Sequence, residues 1–150
     1  MDVFLLKFLL IQISKRLGYQ VRVMISFTQH TRNRKILEYL QKIFGGDLDD
    51  YSSKNLSELV IREREKVKQI LKRIKPFLIT KRKQAQLAEK IIQIFEKQKP
   101  RVRSWIEPNE LIEAVGLAEE IRRLNSNRKN KTIHTLESVK DELKKRGFIS

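Results

Sequence analysis

The sequence predicts an α+β chain in which an antiparallel β-saddle is backed by helices. Three observations carry that prediction. Residues 19–28, YQVRVMISFT, alternate strictly between two faces, the two-residue period of a half-buried strand. Apolar residues recur at helical spacing over 34–44, 67–74 and 81–97. The strand-like segments come in close pairs with helices between them, which favours hairpins of one antiparallel sheet with its helices on one side.

In chain order, residues 9–14 continue an apolar run that turns to alternation at Ile11, Gln12, Ile13 and Ser14. The four residues 15–18 are short enough for a hairpin turn, so this strand pairs antiparallel with the next. On that second strand Tyr19, Val21, Val23, Ile25 and Phe27 share one face, and Gln20, Arg22, Met24, Ser26 and Thr28 the other. From Arg34 the period changes: Ile36, Leu37, Leu40, Ile43 and Phe44 mark a helix that Gly45 and Gly46 stop. Residues 47–56 are polar and loop-like, with a short irregular strand around Tyr51, and residues 59–61 supply the other strand of a second hairpin.

Val67, Ile70, Leu71 and Ile74 then define a helix that Pro76 ends. A helix from about Lys81 to Lys97 follows, then a break at Pro100 and a helix after Glu107, with Pro108 in its first turn, where a missing N–H costs nothing. The last helix follows Thr132, has Thr135 or Ser138 as alternative caps, and stops at Gly147. Trp105, Leu111, Ile112, Val115 and Leu117 are core positions. Residues 1–150 read as one domain, with 100–150 as its C-terminal helices.

Composition narrows the function. The formal net charge is +15, from 33 Lys and Arg against 18 Asp and Glu, the electrostatic footprint of a phosphate-rich or anionic partner. Residues 51–100 hold 14 basic and 5 acidic side chains, so the excess is concentrated in a patch. Cysteine is absent, which excludes disulfides, thiolate zinc sites and cysteine nucleophiles. His30 and His134 are far apart in sequence and read as surface residues. The opening MDVFLLKFLLIQI is too short to span a membrane and lacks the basic and small-residue features of a secretory signal, so no membrane partner is expected. Richness in Lys and Ile points to an AT-rich genome, hence a chloroplast or mitochondrion.

Lys81, Arg82 and Lys83 stand at a helix start, where the macrodipole prefers Asp or Glu. A polyanion held nearby explains that choice. The bland reading is a solvated charge run, which these residues alone do not distinguish from it. Glu63 and Glu65 flank basic residues beside a helix start, so capping and salt pairing outrank a catalytic carboxylate pair. With helices on the apolar face of the sheet, the face bearing Gln12, Ser14, Gln20, Arg22, Ser26 and Thr28 is left open to a partner. A two-stranded ribbon of this kind suits a DNA major groove.

Three blocks in order carry a resemblance: FTQHTRNR at 27–34, PFLITKRKQAQLAEKI at 76–91 and RRLNSNRKNKT at 122–132. From about Ile11 onward the chain resembles the single-motif, homodimer-forming LAGLIDADG homing endonucleases of organellar introns. The resemblance implies a magnesium-dependent, site-specific DNA endonuclease whose four-stranded saddle lies in the major groove of double-stranded DNA. It also implies groove-facing roles for Gln12, Ser14, Arg16, Gln20, Arg22, Met24, Ser26 and Thr28 on the first hairpin, and for Tyr51, Ser53, Glu58 and Val60 on the second. Arg128, Lys131 and Thr132 correspond to a loop that contacts the DNA backbone. Gln29 corresponds to a residue that helps place water or metal, and Lys81 to a lysine that stabilises developing phosphate charge.

Two departures qualify the resemblance. Asn33 replaces an arginine, leaving Arg32 and Arg34 as alternative phosphate contacts. The motif helix that should precede the first strand, with its metal-binding carboxylate, is missing or degenerate in residues 1–10; the carboxylate position falls at about Leu6, and Asp2 is the only acid nearby. Holding magnesium needs anionic oxygen ligands. The expected activity is therefore impaired, and dimerisation, which the motif helix supports, is also in question. A non-catalytic nucleic-acid binder or an intron RNA maturase-like protein is the alternative.

Overall fold

Alternation and helical spacing resolve into nine regular elements among the described residues, beginning with the strands β1 (Leu5–Ser14) and β2 (Gly18–His30). Helix α1 (Arg34–Phe44), strands β3 (Asp47–Tyr51) and β4 (Leu56–Ile61), and helix α2 (Arg64–Ile74) follow. Helices α3 (Arg82–Glu96), α4 (Pro108–Asn125) and α5 (Leu136–Lys145) complete the chain. The structure, a computed structural model, describes residues 5–14, 16–97, 106–125 and 134–150, with 5–14 described as backbone.

The strands form one four-stranded sheet in the order β1-β2-β4-β3. β2 pairs antiparallel with β4, placing Thr28 opposite Glu58 and Gln29 opposite Ser57. β3 pairs antiparallel with β4 on its other side, placing Asp49 opposite Glu58 and Asp50 opposite Ser57. Paired residues project to the same side of a sheet. One face therefore carries Ser26, Thr28, Glu58, Val60, Asp47, Asp49 and Tyr51, and the opposite face carries Ile25, Phe27, Leu59, Ile61 and Leu48.

Two boundaries differ from expectation. The first strand begins at Leu5, because the leucine-rich segment that opens the chain continues the extended run. Among the described residues no helix precedes it. Residues 47–51 form a regular edge strand in spite of their three aspartates, a residue type that strands disfavour. Side-chain ties compensate: Arg62 Nη1 donates to Asp47 Oδ2 at 2.8 Å, and Arg34 Nε donates to Asp50 Oδ1 at 3.0 Å. An acidic edge also resists pairing with further strands.

The chain divides into two compact units, one of 1–8 and 23–82, the other of 9–22 and 83–150. In the first, α1 packs on β3 and β4, and Leu37, Ile25, Leu59, Ile61, Ile70 and Leu71 are buried to 1% exposure or less. The chain leaves α1 through Gly46, whose φ is +97° and where a Cβ would lie 2.6 Å from the Val60 carbonyl oxygen. Only glycine fits there. α2 stops at Ile74 and passes through a short 3₁₀ turn containing Pro76.

In the second unit, Leu111, Val115, Ile121, Val139 and Leu143 form the buried seam of α4 and α5. Thr135 caps α5: the Ser138 amide donates to Thr135 Oγ1 at 3.1 Å and the Thr135 amide donates to Ser138 Oγ at 2.8 Å. Both alternative cap residues are thus used in one reciprocal motif. The hairpin turn is tied to the far end of the chain. Arg146 Nη1 donates to the Arg16 carbonyl at 3.3 Å and its Nε to Glu142 Oε1 at 2.8 Å, while Arg16 Nη1 donates to the Ile106 carbonyl at 2.5 Å.

Core truncation and acid should both read out this architecture. Leu37→Ala is expected to cost about 2–5 kcal/mol in a urea titration, whereas Tyr39→Ala, on the exposed side of the same helix, stays within about 0.5 kcal/mol. The Asp50 carboxyl is held below its ordinary range by the Ser57 hydroxyl and then by Arg34. A depressed carboxyl contributes stability above its unfolded pKa and loses it as pH falls through the folded value. Below about pH 4, thermal unfolding of the native chain should therefore fall more steeply than that of Asp50→Asn; parallel pH profiles would contradict the assignment.

Candidate functional site

The outer face of the sheet, on the side away from α1, gathers most residues expected to meet a partner. Along β2, Arg22 is exposed, Gln20 and Met24 are half-buried, and Ser26 and Thr28 are buried. On the second hairpin, Tyr51 is 46% exposed, Glu58 is half-buried and Val60 is buried. Ser26, Thr28 and Val60 are short side chains on the two central strands, so longer neighbours make most of the accessible surface. Ser53 is exposed in the 3₁₀ turn that follows β3. Gln12 and Ser14 belong to β1. Arg128, Lys131 and Thr132 lie outside the described residues.

Arg16 is otherwise occupied. Its guanidinium holds the Ile106 carbonyl and sits 5.6 Å from the centroid of the Phe148 ring, which makes it a structural clasp of the hairpin turn.

The junction between β2 and α1 brings Gln29, Arg32 and Arg34 together in sequence and separates their tasks. Gln29 projects to the face opposite Thr28, is 3% exposed, and its Oε1 has no hydrogen-bond partner among the described residues. An unsatisfied buried amide oxygen is costly and marks a position that awaits a donor. Asn33 Nδ2, in the turn that follows, is a second buried atom without a partner among the described residues. Arg34 opens α1, where a cation opposes the helix dipole. Two carboxylates offset that: Arg34 pairs with Asp50 and, one helical turn on, with Glu38, and the Asp50 hydrogen bond raises its pKa further. Its guanidinium therefore braces β3 against α1. Arg32 is exposed.

The basic cluster sits where sequence spacing placed it. Lys81 is half-buried in the turn immediately before α3, Arg82 and Lys83 are exposed, and α3 has no acidic residue in its first turn. Arg82 Nη2 donates to the Pro76 carbonyl at 3.5 Å.

The two histidines behave differently from each other. His30 is exposed, yet its Nδ1 accepts from the Arg32 amide at 3.2 Å and so caps the turn after β2. His134 is no plain surface residue: it is half-buried and meets Tyr19 edge-on with ring centroids 5.0 Å apart. Its backbone carbonyl accepts from Arg122, whose pKa burial lowers. Glu63 pairs with Lys66 at 3.9 Å and makes no side-chain cap, so the salt-pairing half of that reading holds.

The described residues of one chain supply no clustered set of carboxylates for a divalent metal. Among the described residues no three His, Asp or Glu side chains are grouped to hold a metal ion. Leu6, at the position of the expected carboxylate, lies within β1, and Asp2 is outside the described residues. Asp50, the carboxylate opposite Ser57 beside Gln29, is engaged by Ser57 and Arg34.

Comparison with known proteins agrees with this geometry. A family model described as LAGLIDADG endonuclease matches residues 8–93. DNA endonuclease I-CvuI of Chlorella vulgaris is 32% identical over 133 residues, covering 89% of this chain and 77% of that protein. The crystal structure of I-CvuI in complex with its target in the presence of calcium superposes with a TM-score of 0.77 at 32% identity, over 95% of this chain and 87% of that one. The archaeal intron-encoded homing endonuclease I-Vdi141I, complexed with DNA, shares the fold at a TM-score of 0.72 and 19% identity, over 96% and 87% of the two chains. Family match, sequence identity and shared fold agree, and the chain belongs to the LAGLIDADG endonuclease family.

Proposed function

We propose that this chain is a site-specific binder of double-stranded DNA with the homing endonuclease architecture, and that the sheet face opposite α1 enters the major groove. One observation carries the reading: the β2-β4-β3 register aligns Thr28, Glu58 and Tyr51 on one face, continuous along β2 with Met24 and Arg22. A two-stranded ribbon fits the major groove, which is about 12 Å wide and offers a full donor and acceptor code. The net charge of +15 supplies the sequence-independent attraction, and the concentration of base in residues 51–100 places part of it around the turn at Lys81.

Within that reading Lys81 is the residue that would stabilise charge on a phosphate, exposed Arg32 is the arginine that would meet a phosphate, and buried Gln29 orients a donor at the end of β2. Arg34 acts through structure, by bracing β3. A long, partly palindromic site calls for two copies of the chain, since a two-fold protein matches a two-fold site. Magnesium is the family-type cofactor, but Leu6 stands where a carboxylate is needed, so these 150 residues hydrolyse DNA poorly. An algal relative and the Lys and Ile richness support a chloroplast or mitochondrial setting.

Fluorescence anisotropy with a random-sequence duplex should show binding that weakens steeply with salt, the slope reporting about 0.9 per phosphate neutralised. Lys81→Ala should lower that slope by about one. Repeated selection from a randomised duplex library should enrich a defined site; preference for structured RNA in competition would instead support RNA binding. Incubation of the selected site with the chain and magnesium should leave the DNA intact. Metal-dependent nicking that Lys81→Ala abolishes would refute the impaired-hydrolysis clause.

A further inference from the structure

Helix α2 carries a charge pattern that its own stability does not explain. Arg64, Lys68 and Lys72 follow one another at four-residue intervals, and all three are exposed. From Lys66 to Ala88 the chain has eight basic residues and no acidic one. Like charges four residues apart on a helix are unfavourable, by about 0.2–0.5 kcal/mol per pair. The helix dipole favours cations in the last turn, so it rewards Lys72 and Arg73 and not the whole row. No ion pair holds Lys72 or Arg73 among the described residues. The acids of this region, Glu65 in the first turn and Glu63 at the cap, stand at the helix start.

The row is set apart from the outer face of the sheet. Val67, Ile70 and Leu71 are buried against the core, and the flank with Arg64, Lys68 and Lys72 meets solvent. At the start of α2, Lys66 reaches back to the end of α1: its Nζ lies 2.8 Å from where a Cβ on Gly45 would stand. α2 thus begins on the α1 side of the sheet, away from the face assigned to the groove.

A rise of about 1.5 Å per residue spaces the three cations about 6 Å apart along the helix. One strand of a duplex advances about 3.4 Å per phosphate, so such a row meets alternate phosphates of one strand. α2 has no aromatic residue on which splayed bases could stack, so a base-paired duplex is the form that fits it. DNA held on the sheet face also brings further duplex of the same kind within reach.

We propose that Arg64, Lys68 and Lys72 form a second nucleic-acid surface, which takes the phosphate backbone of a second DNA duplex while the outer sheet face holds the first. The proposal extends the DNA-binding reading and adds a contact that carries no sequence information. A chain that holds two duplexes passes from one to the other without full release, because the second contact forms at high effective concentration.

Bead capture with the full chain tests this. Beads bearing one duplex should retain a fluorescent random-sequence duplex when the native chain is present, and less of it as salt rises. The combined variant Arg64→Gln, Lys68→Gln and Lys72→Gln should lower the salt slope of retention by up to about 2.7 and retention itself by about tenfold or more. Its affinity for the selected duplex, measured by anisotropy, should be unchanged. Lys68→Arg with Lys72→Arg keeps the charge and should keep retention. Equal retention by the native chain and the glutamine variant would overturn the second surface while leaving the sheet-face reading intact. Retention of duplex RNA in preference to duplex DNA, lost in the glutamine variant, would overturn the choice of DNA. Failure of the native chain to bind any duplex would overturn both readings, and circular dichroism of each variant separates misfolding from altered binding.

Discussion

The register between β2, β4 and β3 is the constraint from which the site follows. Strand side chains alternate with a period of two, so a slip of one residue would exchange the two faces. Phe27 and Leu59 would turn outward, and Thr28 and Glu58 inward. Burial of Ile25, Phe27, Leu59 and Ile61 forbids that exchange, and the same fixed register aligns Thr28 and Glu58 on the outer face. Core packing and surface recognition are therefore set by one geometric choice.

The region after β2 shows how a binding architecture absorbs charge. Four arginines and lysines crowd residues 32–35 and 42, yet Arg34 is neutralised by Asp50 and Glu38, and the His30 ring caps the turn ahead of it. The β3 edge, acidic along its length, thus has two roles. Its Asp47 and Asp50 hold the edge strand to its neighbours, and Asp49 faces outward. Net charge alone does not separate such braces from contact residues.

Much of this was legible in the sequence. Alternation located β2, helical spacing with Gly45 and Gly46 located α1, and the proline and capping signals located α2, α4 and α5. The start of β1 was not, because Lys7 is the one polar residue in the apolar run 3–11, too few to set a period. The β3 strand was legible only as a short irregular piece, since DLDDY contradicts strand propensity and exists through pairing and ion pairs that join residues distant in sequence. For the same reason Arg16 read as a groove contact: its acceptor at Ile106 lies 90 residues away. The ordered blocks pointed to the family, and those at 27–34 and 76–91 lie within the residues that the family model matches.

The clasp between Arg146 and the Arg16 carbonyl spans 130 residues. Protein synthesis proceeds from the other end, so the first hairpin emerges long before the residues that fasten its turn. Until α5 is made, Gly18 and its neighbours lack their Glu142 and Arg146 partners, and the second unit cannot close. During that interval the first hairpin lacks the contacts that fasten its turn, and an incompletely packed strand edge is the kind of surface on which partly made chains associate.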